Sequence, residues 1–199
     1  MSDSTITKRA IAASLKELTK RKAFDKITIH EITEFCGLNR QTFYYHFKDK
    51  YELVDWIYYN ETISIIMLDL TYENWDQKVL LMLKNMKQDK YFYESTLKLS
   101  VESGFRNYLF RIATELFMDI VGRIELNTDY LENEKTFISE FYAFGIVGVI
   151  ISWAQHGMRE TPEYITKQLV NVAQGTKKFA ANRFLEDQTD ICRKENSYE

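Results

Sequence analysis

Within about two helical turns, Arg40, Gln41, Thr42, Tyr44 and Tyr45 present a guanidinium, a carboxamide and three hydroxyls. These groups donate and accept hydrogen bonds at fixed spacing, which is the chemistry of recognition rather than of turnover. Phe43 and Phe47, four apart, point to the opposite side and belong to a core. A short helix that offers polar side chains from its first turns, beside a helix that crosses it, is the helix-turn-helix way of reading the DNA major groove.

The residues on either side build the frame. Thr28 and Glu31 form a T-x-x-E capping box, which predicts a helix opening at Ile29, with Ile32 and Phe35 sharing its buried stripe. Cys36-Gly37-Leu38 breaks that pattern, and Gly37 can take the left-handed conformation that ends a helix. Asn39 caps the next helix, which runs through Phe47. Ahead of this pair, Thr7 to Lys22 reads as a helix with Ile11, Leu15 and Leu18 on one face. Phe24 and Ile27 plug the small core behind it. Lys20, Arg21 and Lys22 suit a helix C-terminus and equally suit a DNA backbone, and the sequence does not separate the two.

The body that follows reads as helical. Asp49 with Glu52 opens a long helix over 49–70, with Leu53, Trp56, Ile57, Ile63, Met67 and Leu70 as its apolar stripe. Further helices are expected at Trp75–Lys87, Tyr91–Leu99, Phe105–Asn127, Glu134–Met158 and from Pro162 to about Leu185, with a polar loop at 127–133. The expected fold class is all-α, about nine helices. Residues 1–50 form a three-helix DNA-binding head, 51–185 a helical bundle for regulation and dimerisation, and 186–199 a flexible tail.

Bulk composition agrees with this and excludes other classes. One proline and seven glycines in 199 residues favour helices. The net charge of −3 is unevenly spread: residues 1–50 carry ten Lys/Arg against six Asp/Glu, residues 51–199 carry 16 against 23. A basic head on an acidic body meets phosphates without coating the DNA. Cys36 and Cys192 fall in dissimilar settings, and with no leader recognisable the expected setting is a reducing cytoplasm. The apolar run from Phe141 to Ala154 is shorter than the roughly 20 residues of a membrane span, so no membrane partner is expected. His30, His46 and His156 fall in separate segments, and no metal-ligand spacing, nucleophile elbow or phosphate loop occurs. No enzyme activity, cofactor or metal is expected.

The chain resembles the TetR family of bacterial transcription regulators. Phe24, Thr28, Ile32, Gly37, Thr42-Phe43-Tyr44, His46-Phe47 and Asp49-Lys50 carry the likeness, which is strongest over Thr7 to Leu53. Ala23, Thr33 and Gln41 depart from it, where the family often has Gly, Ala and Gly. Gln41 enlarges the reading helix, so no operator sequence carries over. Arg40 to Tyr44, Lys50 to Leu53, Asp55 to Tyr58, Gly145-Ile146-Val147-Gly148, Trp153, Gly157-Met158 and Pro162 also resemble a Gram-positive branch that includes regulators of dihydroxyacetone kinase operons. In that branch a partner protein can switch the regulator in place of a small ligand.

The resemblance implies that helix 39–47 enters the major groove of double-stranded DNA. Arg40 would then bond a guanine edge, Gln41 an adenine, and Thr42 a thymine methyl or a phosphate. Tyr44, Tyr45, His46 and Lys50 would hold the backbone, and Thr28 and Asn39 combine capping with a place on the DNA side. It further implies a homodimer through helices 134–158 and 162–185 on a palindromic operator. Any effector pocket would lie among Met67, Trp75, Met82, Met86, Phe92, Phe105, Tyr108 and Phe117, residues whose type and spacing are more often those of a core than of a ligand site. The implied function is a sequence-specific transcriptional regulator, controlled by a small molecule or a coactivator protein. The alternative is a helical protein-interaction module, or a coactivator-dependent regulator, with little intrinsic DNA binding.

Overall fold

Ile11, Leu15 and Leu18 are buried together on the first helix, as their spacing requires. In a computed structural model of the protein, which describes residues 3–98, 104–122 and 132–175, this helix (α1) spans Asp3–Thr19. It starts earlier than expected and stops short of the Lys20–Lys22 run. Phe24 and Ile27 follow from a 3₁₀ turn, Phe24–Lys26, and are buried beneath it. Helices α2 (Ile29–Phe35) and α3 (Arg40–His46) complete the head.

One expected core residue lies elsewhere. Phe35 is exposed, with the Arg21 guanidinium 5.5 Å from its ring centre. Thr33 is buried in the same helix, because its hydroxyl donates to the carbonyls of Ile29 and His30 at 3.1 and 2.9 Å and so carries no desolvation penalty.

The long helix expected over 49–70 is present as one rod, α4, but it is not uniform. It is α-helical over Lys50–Tyr58, π-helical over Tyr59–Ile63 and α-helical again over Ser64–Met67. Val54, Tyr58, Thr62 and Ile66, spaced by four, are all buried. In a plain α-helix such a row drifts by about 40° per step. The wider π turn offsets the drift and keeps the row facing the body. The stripe therefore passes through Ile66, and Met67 is turned out, contrary to the expected register.

The body comprises α5 (Trp75–Gln88), α6 (Lys90–Leu97), α7 (Gly104–Gly122), α8 (Glu132–Gln155) and α9 (residues 162–175). With α4 counted as one rod, nine helices and no strand occur among the described residues. Helices α7 and α8 pair antiparallel through Phe110 against Phe144 and Phe117 against Tyr142, ring centres 4.2 and 5.4 Å apart. Gly157 (φ 82°) and Met158 (φ 49°) turn the chain, and Pro162 opens α9 without an unsatisfied N–H. The residue pairs Tyr58–Thr96 and Thr62–Tyr93 bond hydroxyl to hydroxyl inside the body and tie α4 to α6. Burial drives both tyrosine pKa values above their ordinary range, so both phenols stay protonated. Helix α8 over Lys135–Gln155 is long and apolar enough to cross a membrane by length and composition, longer than the apolar run alone indicated. One of its faces lies in the core through Ala143, Ile146, Val147, Ile150 and Trp153. The expected extension of α9 to Leu185, the tail 186–199, Ile124 and most of the loop 127–133 lie outside the described residues.

Candidate nucleic-acid interface

Asn39 starts the reading helix. Its side-chain oxygen accepts from the Thr42 backbone N–H at 2.8 Å and from the Thr42 hydroxyl at 3.0 Å. Gly37 (φ 68°) supplies the left-handed turn that lets α2 and α3 cross. Phe43 and Phe47 are buried, and their rings lie 5.8 Å apart. With these two side chains inside, Arg40, Gln41, Tyr44 and Tyr45 are left exposed on the outer side of α3, Tyr45 by 83%. Arg40 reaches the Tyr44 hydroxyl at 3.5 Å, too long to anchor the guanidinium.

The other predicted site residues are engaged with protein atoms. Thr28 and Glu31 make the full capping box: the Glu31 N–H donates to the Thr28 hydroxyl at 3.3 Å, and the Thr28 N–H and hydroxyl donate to the Glu31 carboxylate at 2.9 and 2.8 Å. The same carboxylate pairs with Lys22. Lys22 and the capping bonds hold the Glu31 pKa down at about 2. Its contribution to stability is complete above the ordinary value of 4.5 and is lost as pH falls through about 2. The difference in melting temperature between the protein and its Glu31→Gln variant is therefore expected to shrink steadily across that window. A difference independent of pH would contradict the assignment.

Lys50 is placed differently from the expectation of a phosphate ligand. Its ammonium donates to the carbonyls of Phe24, Asp25 and Ile27 at 2.9, 3.1 and 2.8 Å and lies 4.7 Å from the centre of the Phe24 ring. Its three donors hold the 3₁₀ turn against the start of α4. Burial shifts its pKa downward. Lys20, Arg21 and Lys22 also have partners inside the head: Glu17, the Phe35 ring and Glu31. His46 lies next to Tyr45, ring centres 4.9 Å apart, and desolvation followed by the Lys8 charge lowers its pKa. The Lys8 ammonium, on α1, lies 5.5 Å from the Phe47 ring centre, close to the end of α3.

The arrangement fits an exposed polar helix to a groove and gives it neutral and basic neighbours. Comparison with known proteins agrees. Residues 11–57 match the family described as bacterial regulatory proteins, tetR family, and residues 73–175 match a transcriptional regulator C-terminal region. The HTH-type dhaKLM operon transcriptional activator DhaS of Lactococcus lactis subsp. lactis (strain IL1403) is 28% identical over 175 residues, which cover 86% of this chain and 91% of the relative. A solved dihydroxyacetone kinase operon activator DhaS superposes with a TM-score of 0.69 at 25% identity, over 88% of this chain and 98% of that one. NalD, the secondary repressor of the MexAB-OprM multidrug efflux pump in Pseudomonas aeruginosa, shares the fold, with a TM-score of 0.59 at 15% identity over 86% of this chain and 96% of its own. The DhaS relative is a transcriptional activator, and the two family models cover the head and most of the body: the chain belongs to the TetR family and is a DNA-binding transcription regulator.

Proposed function

We propose that the protein binds a palindromic operator as a homodimer in the cytoplasm, with one α3 in each of two successive major grooves. Arg40, Gln41 and Thr42 read base edges, and Asn39, Tyr44, Tyr45, His46 and Thr28 lie toward the sugar-phosphate backbone. The observation that carries this reading is a face of α8 that the protomer leaves uncovered. Phe137, Phe141, Phe144, Val149, Gly145 and Gly148 fall on one side of the helix and are all exposed, the three phenylalanines by 70, 65 and 65%. A Cβ at Gly145 or Gly148 would meet nothing within 4 Å, so packing inside the protomer does not call for glycine there. Close approach of a second helix does. Tyr164, Gln168 and Val172 extend the exposed face onto α9. A two-fold pairing of this face supports two heads on one duplex.

Control is by a small molecule or by a partner protein. The apolar cavity of the body lined by Trp75, Met82, Leu109, Phe117 and Val147 among others holds about 40 Å³, and a cleft beside it lined by Met67, Leu70, Tyr72, Ile112 and Leu116 holds about 300 Å³. Small-molecule sites measure roughly 300–1,000 Å³, so only the cleft reaches the lower end of that range. Of the residues expected around a pocket, Met86, Phe92 and Phe105 are fully packed core. The activator named among the relatives gives activation of a kinase operon as the sign and target to test first.

Footprinting of the purified protein on the DNA flanking its own gene, at two salt concentrations, tests the reading. Protection of a palindrome that weakens with salt is expected. Absence of protection at low salt, together with capture of a protein partner, would favour the interaction module. Lys50 supplies a separate check. Because its ammonium is spent on three carbonyls, Lys50→Gln is expected to cost about 1 kcal/mol of stability while leaving the salt dependence of operator binding unchanged. A salt slope reduced by about 2 per dimer would return Lys50 to the phosphates.

A further inference from the structure

We propose that Lys16, Glu61 and Asp89 form a latch that fixes the angle of the reading head on the body and thereby sets the half-site spacing the dimer accepts. The inference rests on the operator-binding reading above and adds to it the residues that determine one element of specificity.

Lys16 lies on α1, in the head. Its ammonium reaches the Glu61 carboxylate at 2.6 Å and the Asp89 carboxylate at 3.0 Å. Glu61 belongs to the π-helical segment of α4, and Asp89 stands between α5 and α6. One cation therefore joins the head, the connecting rod and the body. The three residues are far apart in sequence, so no local regularity produces the cluster.

The surroundings make the contact stiff. The Lys16 side chain is 19% exposed, and those of Glu61 and Asp89 are 32 and 29% exposed, so salt screens the pairs less than it would open surface pairs. Burial opposes the Lys16 charge, but the bonds and charges of both carboxylates outweigh it and raise its pKa. The ammonium is present throughout the physiological range. Beside Glu61, Thr62 bonds the Tyr93 hydroxyl inside the body, so the π segment is held on its core side as well. On the other side of the head, the Phe24 N–H donates to the Ser95 hydroxyl of α6 at 2.8 Å. The first helix and the 3₁₀ turn also pack on α6 through one apolar core that includes Ile11, Leu15, Phe24, Phe92 and Leu97, and the Lys16 cluster is the charged part of this head–body contact.

A head held this way is preorganised at one orientation. Two such heads in a dimer then stand at one separation and one relative rotation. Inserting a base pair at the centre of a palindrome moves its half-sites apart by about 3.4 Å and turns them by about 34°. The wild-type dimer should discriminate sharply between the two spacings. A dimer whose latch is broken should follow either one.

The test measures the affinity of the full-length protein for the footprinted operator and for the same operator with one central base pair inserted. For Lys16→Gln and for the milder Glu61→Gln, the ratio of the two affinities is expected to fall at least fivefold from the wild-type ratio. The double exchange Lys16→Glu with Glu61→Lys restores one cation–carboxylate pair between head and rod but sets a carboxylate at position 16 beside Asp89, and is expected to restore discrimination in part. A general loss of stability lowers both affinities together and leaves the ratio alone, and a phosphate contact would change the salt slope instead. Ratios within twofold of wild type in both single variants would overturn the latch while leaving operator binding intact. Wild-type protein that bound neither operator would overturn the operator-binding reading, and the latch with it.

Discussion

Phe141→Glu is expected to leave the protein monomeric at micromolar concentration and to lower operator affinity by at least 100-fold. Phe141 is 65% exposed in the protomer and sits between Phe137 and Phe144 on the open face of α8. Two-fold symmetry counts every substitution twice. Burying one such ring contributes about 1.5–3 kcal/mol, so a dimer loses roughly 3–6 kcal/mol of association from the two rings alone, and two carboxylates are driven into an apolar contact besides. Each 1.4 kcal/mol is about tenfold in a dissociation constant. The fold of the protomer should survive, because the substituted side chain faces outward. Sedimentation equilibrium and gel-shift titration on one sample check both halves of the expectation. A variant that stayed dimeric with a normal footprint would move the interface off this face.

Arg40→Ala is expected to lower affinity for the preferred operator by about 10- to 100-fold and to erase the preference at one base pair in each half-site. A good bidentate contact discriminates by about 1–3 kcal/mol. Arg40 is exposed at the first turn of α3, and its long contact with Tyr44 leaves the guanidinium able to turn toward a base. Tyr44→Ala serves as the contrast, since loss of a backbone contact weakens all sequences alike. Binding-site selection with each variant separates the two. If the Arg40→Ala protein selected the wild-type sequence, Arg40 would be a phosphate ligand and the reading would pass to Gln41 and Thr42.

The two corrections to the expected fold have separate causes. Phe35 was placed inside because it is apolar and lies three residues from Ile32, but a seven-residue helix has few positions to spend on its buried side. Its buried side runs through Ile29, Ile32, Thr33 and Cys36, with the Thr33 hydroxyl satisfied by two backbone carbonyls, and Phe35 falls outside it. Met67 was placed by counting α-helical turns through Tyr59–Ile63, a segment that winds as a π-helix. No residue type in Tyr-Asn-Glu-Thr-Ile announces that winding. It accompanies the contacts of Tyr58 and Thr62 with α6, which are made from a distance of 38 and 31 residues.

Short-range chemistry was legible from the sequence alone. The capping box at Thr28, the glycine turn at Gly37, the Asn39 cap and the inward pair Phe43 and Phe47 each depend on residues within four or so positions, and all four stand as read. Those features identify the head and leave Arg40, Gln41, Tyr44 and Tyr45 on its outside. What the sequence could not decide is where long, charged side chains end. Lys50 was assigned to phosphate and is spent on three carbonyls of a turn more than 20 residues away. Lys16 carried no signal at all and bridges Glu61 and Asp89. A lysine has four flexible bonds and a charge that can be satisfied by any oxygen within reach, so its partner is chosen by the tertiary arrangement and not by its neighbours in the chain.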